Sequence, residues 1–468
     1  MITGYDHSIL PDCDFFCYIA AEITAGYCLM KSINIAILGC GVVGGGVARI
    51  ILEINDQLSQ RAQCPVQLKK IVELKPKAVA EKNGIPLDLF CGGGGDITLE
   101  EAGKYIDEII DSDDIDLIVE TIGGSNDFIF DTAIRICNAG KHLVTANKSL
   151  LALRGKKIFE AAEKNNVSIG FEAAVCAAIP IIKTIKESFT GDSIDSVSGI
   201  MNGTSNYILS MMQNEKLGFA EALKLAQEGG YAEADPTLDI NGYDASHKLI
   251  LLAKLAFGID ITLEQLSPKG IENIEKEDID FAEEIDCKIK LICYAKRIDG
   301  KIYTAVRPMM VKNDNFLSGV NGATNAVRLV NRYSGKHILV GSGAGSLETA
   351  SSIVADIVFI ARYAEKMSSR ITQTNYDFID AKQFVFPYMI VFKTIDTPGI
   401  TGLVTTSIGN LQINIDTVSH NRHVKEYAVF SIATMPCTLK QIEDAIAEIK
   451  TIKPGVLLDE PKVMPILY

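Results

Sequence analysis

The segment from residue 231 to residue 248 concentrates charged side chains that could bind an amine or transfer a proton. It contains a proline and a glycine that mark a turn, and the apolar run 249–257 after them predicts a mostly buried helix. Asp244 and Lys248 are four residues apart, so we expect them on one face near the start of that helix. A lysine at this position is either paired with its aspartate or held close to neutral for proton transfer.

Three further acids, Glu233, Asp235 and Asp239, crowd the same turn. Their mutual repulsion calls for a cationic partner, which Lys248 and the ammonium group of a substrate would supply. The acids lack the spacing and the closing glutamate of an EF-hand, which excludes a calcium loop. The structural alternative is a helix-supporting ion pair between Asp244 and Lys248, worth only about a few tenths of a kcal/mol.

A glycine-rich turn near the N-terminus predicts a dinucleotide site. Gly39, Gly41 and Gly44 lie between an apolar run at 33–38, which predicts a strand, and residues 47–54, which have helical spacing. The first glycine permits the tight turn, the second lets backbone approach the pyrophosphate, and the third lets helix and strand pack closely. The anion would lie at the positive end of the helix.

The residues after the second predicted strand do not distinguish NAD from NADP. Glu73 ends that strand, where an acid accepts hydrogen bonds from the ribose diol of NAD. Lys75 and Lys77 follow at once and could hold the 2′-phosphate of NADP. Solvated loop charge is the structural alternative for each of the three residues.

Three other segments fall at candidate ligand positions. Lys148 follows the predicted strand 142–145, at the carboxyl edge where open α/β sheets bind ligands. The small-residue loop 172–180 has carbonyl groups that could ligate a hard cation such as sodium, although a structural turn explains it equally well. Segment 202–206 precedes the predicted helix 207–212, and helix capping alone would account for it.

Alternation of apolar runs and helical patterns predicts α/β architecture with a doubly wound parallel sheet. The first region contains predicted strands at 33–38, 68–74, 116–120 and 142–145, a helix at 132–138 and a flexible glycine loop at 92–95. The second region, 160–340, contains predicted helices at 219–228 and 246–257 and β-rich stretches at 196–201 and 301–311, and helix 349–364 could return to the first domain. A polar linker at 368–383 precedes strand 388–393, helix 400–408, strands 413–419 and 427–433, and helix 439–449. This βαββα order describes a small α+β domain of the ferredoxin-like kind.

Composition limits the classes of function. A chain of 468 residues fits two or three domains, and a net charge of −14 with a pI near 5.0 argues against nucleic acid. Since no apolar run reaches the roughly 18 residues of a membrane helix, we expect a soluble protein. Eleven cysteines without a Cys-x-x-Cys motif suit free thiols in a reducing cytoplasm, and no His or Cys pair has zinc spacing. Residues 1–29 contain no lysine or arginine, so we expect a poorly ordered upstream extension and not a secretory signal, with the natural start at Met30.

The glycine fingerprint and the stretches 119–124, 140–148, 199–204 and 230–248 together resemble homoserine dehydrogenase, over residues 32–366. The tail from Tyr388, with the sequence Asp-Thr-Pro-Gly at 396–399, resembles an ACT domain, an amino-acid-sensing module. The resemblance implies a monofunctional enzyme with a Rossmann-type nucleotide-binding domain, an α+β catalytic and dimerisation domain and a ferredoxin-like ACT domain. The expected division is an extension over 1–29, the nucleotide-binding domain over 30–160 and 338–366, the substrate domain over 161–337, a linker over 367–386 and the ACT domain over 387–468.

The resemblance also implies NAD(P)-dependent interconversion of L-aspartate 4-semialdehyde and L-homoserine in threonine and methionine biosynthesis. Lys248 would protonate the carbonyl oxygen as hydride reaches the carbon, with Asp244 orienting it. Desolvation and the neighbouring Lys148 would lower the pKa of Lys248. Glu233 and Asp239 would hold the substrate amino group, and Lys148 would lie between nicotinamide and substrate.

Two ligand sets follow from the same resemblance. The expected nucleotide residues are Gly39, Gly41, Val42, Val43, Gly44, Glu73, Lys75, Thr121, Lys148 and Gly343. Sodium would bind backbone groups of Glu172, Val175, Ala177 and Ile179. The chain departs from the family pattern at Ala177 and Ala178, where glycine is common, and at Glu348, where proline is common.

Two other classes of function are alternatives to this enzyme. A non-catalytic sensor would bind nucleotide and amino acid without semialdehyde-dependent oxidation of NAD(P)H. A semialdehyde dehydrogenase acting through a thioester would need an activated cysteine, and no cysteine lies convincingly beside a histidine or a helix start. For the homoserine dehydrogenase we expect a homodimer or homotetramer with feedback control, most simply by threonine, through ACT domains paired across subunits.

Overall fold

The computed structural model describes residues 32–363, 374, 376–424 and 427–468, with only the backbone described at 420–424. The predicted extension 1–29 and the start at Met30 lie outside the described residues. So does the part of the predicted linker that precedes residue 374.

Five parallel strands form the first sheet, in the order β2-β1-β3-β4-β5. The strands are β1 (Ile33–Leu38), β2 (Val66–Val72), β3 (Leu117–Glu120), β4 (His142–Thr145) and β5 (Ile169–Gly170). The helices that accompany them are α1 (Val42–Glu53), α2 (Asn55–Ala62), α3 (Pro76–Asn83), α4 (Leu99–Asp111), α5 (Asp127–Asn138) and α6 (Lys148–Lys164). This order confirms the predicted doubly wound α/β sheet. The short apolar strand β3 is buried along its whole length, as a central parallel strand must be.

One prediction in this region was wrong in detail. Helix α5 begins five residues before its predicted start at residue 132, because the Asn126 side chain accepts a hydrogen bond from the backbone of Ile129 (3.0 Å) and caps the first turn. In the segment 92–95, predicted as a flexible glycine loop, Gly92 and Gly93 have positive φ (79° and 66°), and all of the glycines except Gly94 are exposed.

The second sheet follows the order β10-β9-β6-β7-β8-β17-β13-β15-β14, with β11 paired to β8. Its strands are β6 (Ile194–Ile200), β7 (Cys287–Ile298), β8 (Lys301–Lys312), β9 (Thr324–Asn331), β10 (Gly335–Ser342), β11 (Asp377–Phe378), β13 (Tyr388–Ile395), β14 (Ile415–Val424), β15 (Tyr427–Thr434) and β17 (Lys462–Leu467), while β12 (Val385–Phe386) and β16 (Cys437–Thr438) pair separately. The remaining helices are α7 (Ile181–Lys183), α8 (Gly203–Asn214), α9 (Phe219–Glu228), α10 (Thr237–Ile240), α11 (Tyr243–Phe257), α12 (Leu263–Leu266), α13 (Lys276–Glu284), α14 (Ser346–Tyr363), α15 (Ile400–Asn410) and α16 (Leu439–Ile452).

The C-terminal unit, residues 388–467, is βαββαβ and not βαββα, because the sequence pattern missed β17. This strand pairs antiparallel with β13 and parallel with β8, so it joins the sheet of the unit to the sheet of the preceding region. The predicted linker also contributes to that sheet, since Asp377 and Phe378 pair with the start of β8. The strand order β17-β13-β15-β14 is that of a ferredoxin-like unit.

Helix α14 returns to the first sheet, as predicted, and packs against α1. A Cβ atom built on Gly46 of α1 would lie 3.0 Å from the Cβ of Ala350 in α14, so the two backbones approach closely. Buried residues of α14 such as Ile353 and Ile357 share one core with β1 and α1. In the described part of the chain, no helix has both the length and the apolar composition needed to cross a membrane.

Candidate active site

Helix α11 carries the two residues on which the functional prediction rests. Gly242 precedes it in the left-handed conformation (φ 80°), which glycine adopts without strain. Nearly all side chains of the helix are buried, as predicted for the apolar run 249–257. Asp244 and Lys248 lie one turn apart on this helix, and each side chain is only 8% exposed.

The ammonium group of Lys248 lies at the centre of a polar network. It donates to Asp244 Oδ2 at 2.8 Å and to the carbonyl oxygen of Met201 at 2.6 Å. The other oxygen of Asp244 pairs with Lys148 Nζ at 3.0 Å. Asn202 Nδ2 also donates to Asp244 Oδ2, at 2.8 Å. The structure therefore brings all three predicted catalytic residues into contact.

Asn202 contributes more than the predicted helix cap. Its Oδ1 accepts from the backbone of Ser205 at 2.8 Å and caps α8, while its Nδ2 bridges Asp244 and Asp239 (Oδ1, 2.7 Å). An asparagine has an acceptor and a donor on one amide, so it can cap a helix and bind carboxylates at once. Its position two residues after the end of β6 is the sequence signal that could have indicated the second role.

The electrostatics of the pair differ from the prediction in direction. Burial alone lowers the pKa of Lys248, but the charge of Asp244, reinforced by Cys176, the hydrogen bond and Asp239, outweighs burial and raises it. Burial likewise opposes ionisation of Asp244, and the charges of Lys248 and Lys148 outweigh it and hold the pKa of this carboxyl well below its usual range. The expected lowering of the Lys248 pKa was therefore wrong, because the neighbouring carboxylate favours the ammonium form.

The remaining acids of the segment separate into two groups. Asp239 is half-buried beside Asn202, and burial together with the charge of Asp244 raises its pKa. Glu233 and Asp235 are exposed. The Asp235 carboxylate accepts hydrogen bonds from the backbone N–H of Thr237 (3.1 Å) and from its hydroxyl group (2.5 Å). The backbone carbonyl of Glu233 accepts a hydrogen bond from the side chain of Gln227. Thus the structure places Asp239, and not Glu233, against the lysine network.

Lys148 reaches this network from the carboxyl edge of the first sheet. It opens α6, and the preceding Asn147 caps that helix by accepting from the backbone of Leu150 (3.1 Å). The buried Glu120 at the end of β3 accepts from the Thr145 hydroxyl at 2.6 Å and from the backbone of Ile122 at 2.9 Å. Glu120, which the sequence prediction did not single out, therefore fixes the ends of β3 and β4 from which Lys148 projects.

The glycine turn has the geometry that the fingerprint predicts. Gly39 has φ +82°, and its carbonyl oxygen accepts from the Thr121 hydroxyl at 2.5 Å. A Cβ on Gly44 would lie 2.1 Å from that oxygen, so only glycine lets α1 pack there. A Cβ on Gly41 would meet nothing within 4 Å, so the turn is open where a phosphate would approach. Helix α1 has no side-chain cap and no acid in its first turn, which leaves its N–H groups to an anion.

Glu73 and Lys75 lie beside this turn. The Glu73 carboxylate accepts from the backbone of Cys40 at 2.9 Å and from the backbone of Lys75 at 3.2 Å, so it braces the glycine turn. Lys75 is exposed and precedes α3. Both predicted modes of ribose recognition stay open from this geometry.

The loop 172–180 is buried and already well bonded. The Glu172 carboxylate accepts from the backbones of Ile182 (2.7 Å) and Lys183 (2.9 Å), and burial beside Asp356 raises its pKa to about 7. The carbonyl oxygens of three predicted sodium ligands already accept hydrogen bonds: Glu172 from Val175, Ala177 from Ser352 and Ile179 from Ile181. A carbonyl oxygen keeps a second lone pair, so these donors fit a hard cation. Ala177 adopts φ +40° although it is not glycine, so the departure from the family pattern does not prevent the turn.

Gly343 lies against a buried amide. A Cβ on Gly343 would lie 2.0 Å from Nδ2 of Asn325, which excludes any larger residue. Among the described residues, neither amide atom of Asn325 has a hydrogen-bond partner, and the side chain is fully buried. This places Gly343 beside the 172–180 loop, since the carbonyl of the preceding Ser342 accepts from Ala178 at 3.2 Å.

The topology brings the lysine network and the glycine turn to one edge. Gly39 follows β1 and Lys148 follows β4, and these parallel strands end on the same side of the sheet. A doubly wound sheet with an open glycine turn, beside a buried lysine that can carry a proton, defines a nicotinamide-dependent oxidoreductase. A thioester mechanism has no support here: of the described cysteines only Cys91 is not buried, and burial raises the pKa of Cys176 despite its neighbour Lys248.

Comparisons with known proteins refine this class. A family model for homoserine dehydrogenase matches residues 180–358, and the model for the NAD-binding domain of homoserine dehydrogenase matches residues 39–172. The homoserine dehydrogenase of Neisseria gonorrhoeae is 34% identical over 436 residues, covering 90% of this chain and 96% of that protein. The enzyme of Bacillus subtilis is 38% identical over 336 residues, covering 71% and 74%.

Solved structures agree. The homoserine dehydrogenase of Thiobacillus denitrificans superposes with a TM-score of 0.84 at 31% identity, covering 93% of this chain and 98% of that one. A hyperthermophilic archaeal homoserine dehydrogenase in complex with NADPH has a TM-score of 0.57 at 26% identity, covering 70% and 97%. The chain belongs to the homoserine dehydrogenase family. It is an NAD(P)-dependent oxidoreductase that interconverts L-aspartate 4-semialdehyde and L-homoserine, which confirms the predicted activity.

Proposed function

We propose that Lys248 is the acid/base of the reaction and that Asp244 orients it. The observation that carries this proposal is the buried Lys248 ammonium, held by Asp244 and the Met201 carbonyl at the edge of the sheet where nucleotides bind. When bound, NAD(P)H supplies the hydride that reaches the aldehyde carbon. Lys248 donates its proton to the carbonyl oxygen, and in the reverse direction it accepts the proton of the hydroxyl group.

The other predicted residues take positioning roles in this proposal. Asp239 binds the substrate ammonium, since it is half-buried beside Asn202 and lacks a cation of its own within ion-pair distance among the described residues. The Lys148 ammonium group pairs with Asp244 on the side that faces the nucleotide and so stabilises the ionised carboxylate. Glu233 joins the substrate ammonium only if its exposed segment turns inward when substrate binds.

Replacing Lys248 by Met tests the acid/base role. We expect kcat to fall by roughly 100-fold or more, with the Kd for NADPH unchanged, because the proton donor is lost while the nucleotide cradle is intact. Lys254 provides a matched control, since it is a buried lysine on the same helix, paired with Asp260 and outside the proposed site. Lys254→Met should change kcat less than a few-fold. Near-normal turnover in Lys248→Met would refute the assignment.

We propose that the cofactor is NADP(H). Its pyrophosphate would bind at Gly41, Val42 and Val43, and its 2′-phosphate at Lys75 and Lys77. It is supported by the NADPH complex of the archaeal relative and by the engagement of Glu73 with the glycine turn. We expect higher initial rates with NADPH than with NADH at equal concentrations. A Lys75→Met variant should narrow that difference by raising the KM for NADPH alone.

Sodium is the ion proposed for the loop 172–180, held by backbone carbonyl oxygens of Glu172, Val175, Ala177 and Ile179. The donor type suits a hard monovalent cation, which would stabilise the folded state by binding it preferentially. The unfolding midpoint should therefore be higher in sodium chloride than in choline chloride at equal ionic strength. Equal unfolding midpoints in the two salts would contradict sodium binding at this loop.

We further propose the predicted domain division, with residues 387–468 as an ACT domain and feedback control by an amino acid such as threonine. The ferredoxin-like order of the C-terminal unit supports it. Pairing of these units across subunits would give a homodimer or homotetramer, in which binding at one unit can be coupled to activity. Inhibition by L-threonine in the intact oligomer, measured by initial rates, tests the regulation.

A further inference from the structure

A cavity of about 570 Å³ lies where the C-terminal unit meets the preceding region, and it is lined by none of the proposed catalytic residues. Its volume is in the range of small-molecule sites. Residues from β8, β17, the 268–274 loop and the start of α11 contribute to its wall. The junction created by β17, which the sequence did not predict, therefore borders a cavity separate from the candidate active site.

Arg307 of β8 is the unusual residue of this wall. It is only 9% exposed, and its Nε has no hydrogen-bond partner among the described residues. Over the residues that the structure describes, no carboxylate lies within ion-pair distance of the Arg307 guanidinium group. Burial and the charge of Arg307 both lower the pKa of Lys269, which lines the same cavity. Two neighbouring cations, one of them buried without a counter-ion, favour an anionic group in the cavity.

Acidic residues also line the cavity, which limits the kind of anion. Asp278 is buried and accepts from Lys462 Nζ at 3.0 Å and from the backbone of Glu275 at 2.9 Å, and the exposed Glu272 is a second acid. A purely anionic ligand such as phosphate would be repelled by these carboxylates. A zwitterion would place its carboxylate on Arg307 and its ammonium on the acids.

The cavity borders the segment that carries the proposed catalytic residues. Asn241 and Tyr243 line it and flank Gly242, the residue that precedes α11. The backbone of Ile271 donates to the carbonyl of Ile240 at 2.8 Å, which ties the cavity loop to the same turn. A ligand that moves this turn would displace Asp239 on one side and Asp244 on the other.

We propose that this junction cavity binds a small zwitterionic amino acid, with its carboxylate on Arg307, and that its occupation changes activity through the turn at 240–243. The inference rests on the proposed amino-acid regulation and gives that regulation a location inside one subunit. Arg307 is the specificity residue, since a guanidinium can hold a carboxylate through two parallel hydrogen bonds.

Titration calorimetry on the intact enzyme tests the proposal, with L-threonine, L-methionine and L-isoleucine as probes at millimolar concentrations. We expect saturable binding of at least one of them, and loss of binding for the analogue of that probe whose carboxylate is reduced to an alcohol. Arg307→Met should weaken binding by at least 10-fold, whereas Arg332→Met, an exposed arginine off this cavity, should leave it unchanged. Lys269→Met, at an exposed position, gives a second test if the buried substitution fails to fold.

The outcomes separate this inference from the proposed function. Binding that survives in Arg307→Met and in Lys269→Met would place the effector elsewhere, overturning the cavity site while sparing amino-acid regulation. The absence of binding by any probe would overturn both. Binding without a change in kcat/KM would overturn the coupling to α11. None of these results touches the catalytic role of Lys248, because that role is tested without effector.

Discussion

Replacing Asp244 by Asn should destabilise the fold more than replacing Lys248 by Met, although the two residues form one ion pair. The asymmetry follows from what each substitution leaves behind. In Asp244→Asn the Lys248 ammonium stays buried and keeps only neutral acceptors, the Met201 carbonyl and the new amide oxygen, with no negative charge beside it. In Lys248→Met the Asp244 carboxylate keeps Lys148 at 3.0 Å and Asn202 at 2.8 Å.

The magnitudes can be worked from these contacts. Leaving one buried charge of a pair uncompensated costs about 3–5 kcal/mol, which is the expected loss in Asp244→Asn. A carboxylate that retains both a cation and an amide donor loses only part of its stabilisation, so we expect about 1–2 kcal/mol for Lys248→Met. The difference between the variants should therefore be about 2 kcal/mol or more.

Urea unfolding followed by far-ultraviolet circular dichroism is the suitable assay, because the chain contains no tryptophan. Glu283→Gln is the control: this acid pairs with Lys216, and both side chains are more than 40% exposed, so no buried charge is left behind. We expect that control to change the unfolding free energy by less than about 1 kcal/mol. Equal losses in the two test variants, or a larger loss in Lys248→Met, would show that Lys148 and Asn202 do not compensate Asp244 as argued.

Three further predictions concern other parts of the molecule. The pKa of Glu172 is raised to about 7, so the folded state binds more protons than the unfolded state between about pH 4.5 and 7. Stability should fall as pH rises through that window, by up to about 3 kcal/mol, and the fall should be absent in urea titrations of Glu172→Gln. Gly44→Ala should lower the unfolding midpoint and abolish NADPH binding, because its Cβ would meet the Gly39 carbonyl at 2.1 Å, whereas Gly41→Ala should weaken NADPH binding at an unchanged midpoint. Deleting residues 387–468 should yield aggregated protein in size-exclusion chromatography, because it removes β17 and exposes the edge of β8; a well-folded truncated enzyme would contradict the joined sheet.

Much of the fold was predictable because its signals are local. A strand, a glycine turn and a helix follow one another in β1 and α1, and the apolar run 249–257 is long enough to identify a buried helix. Asp244 and Lys248 were predicted to share one helix face because helical spacing fixes their separation, and the structure shows that they pair. Their contact with Lys148 followed from the resemblance, and the shared edge of β1 and β4 explains it physically.

The features that were missed depend on contacts distant in sequence. Strand β17 contains Pro465 and has only six residues, so its pairing with β8 and β13 has no local pattern. The two roles of Asn202 arise because α10 and α11 bring Asp239 and Asp244 to the same amide. The sign of the Lys248 pKa shift was mispredicted because burial and ion pairing oppose each other, and only the distances decide which one dominates.

The raised pKa of Lys248 also bears on the direction of the reaction. Lys248 and Lys148 balance Asp239 and Asp244 in charge, so the ammonium form of Lys248 leaves this group of four side chains neutral overall. In the proposed mechanism, reduction of the aldehyde starts from this arrangement of charges, because the proton that the carbonyl oxygen needs is already on Lys248. Oxidation of homoserine must first remove that proton against the attraction of Asp244. The same ion pair therefore favours the reductive direction near neutral pH, and the oxidative direction gains as pH rises towards the pKa of Lys248.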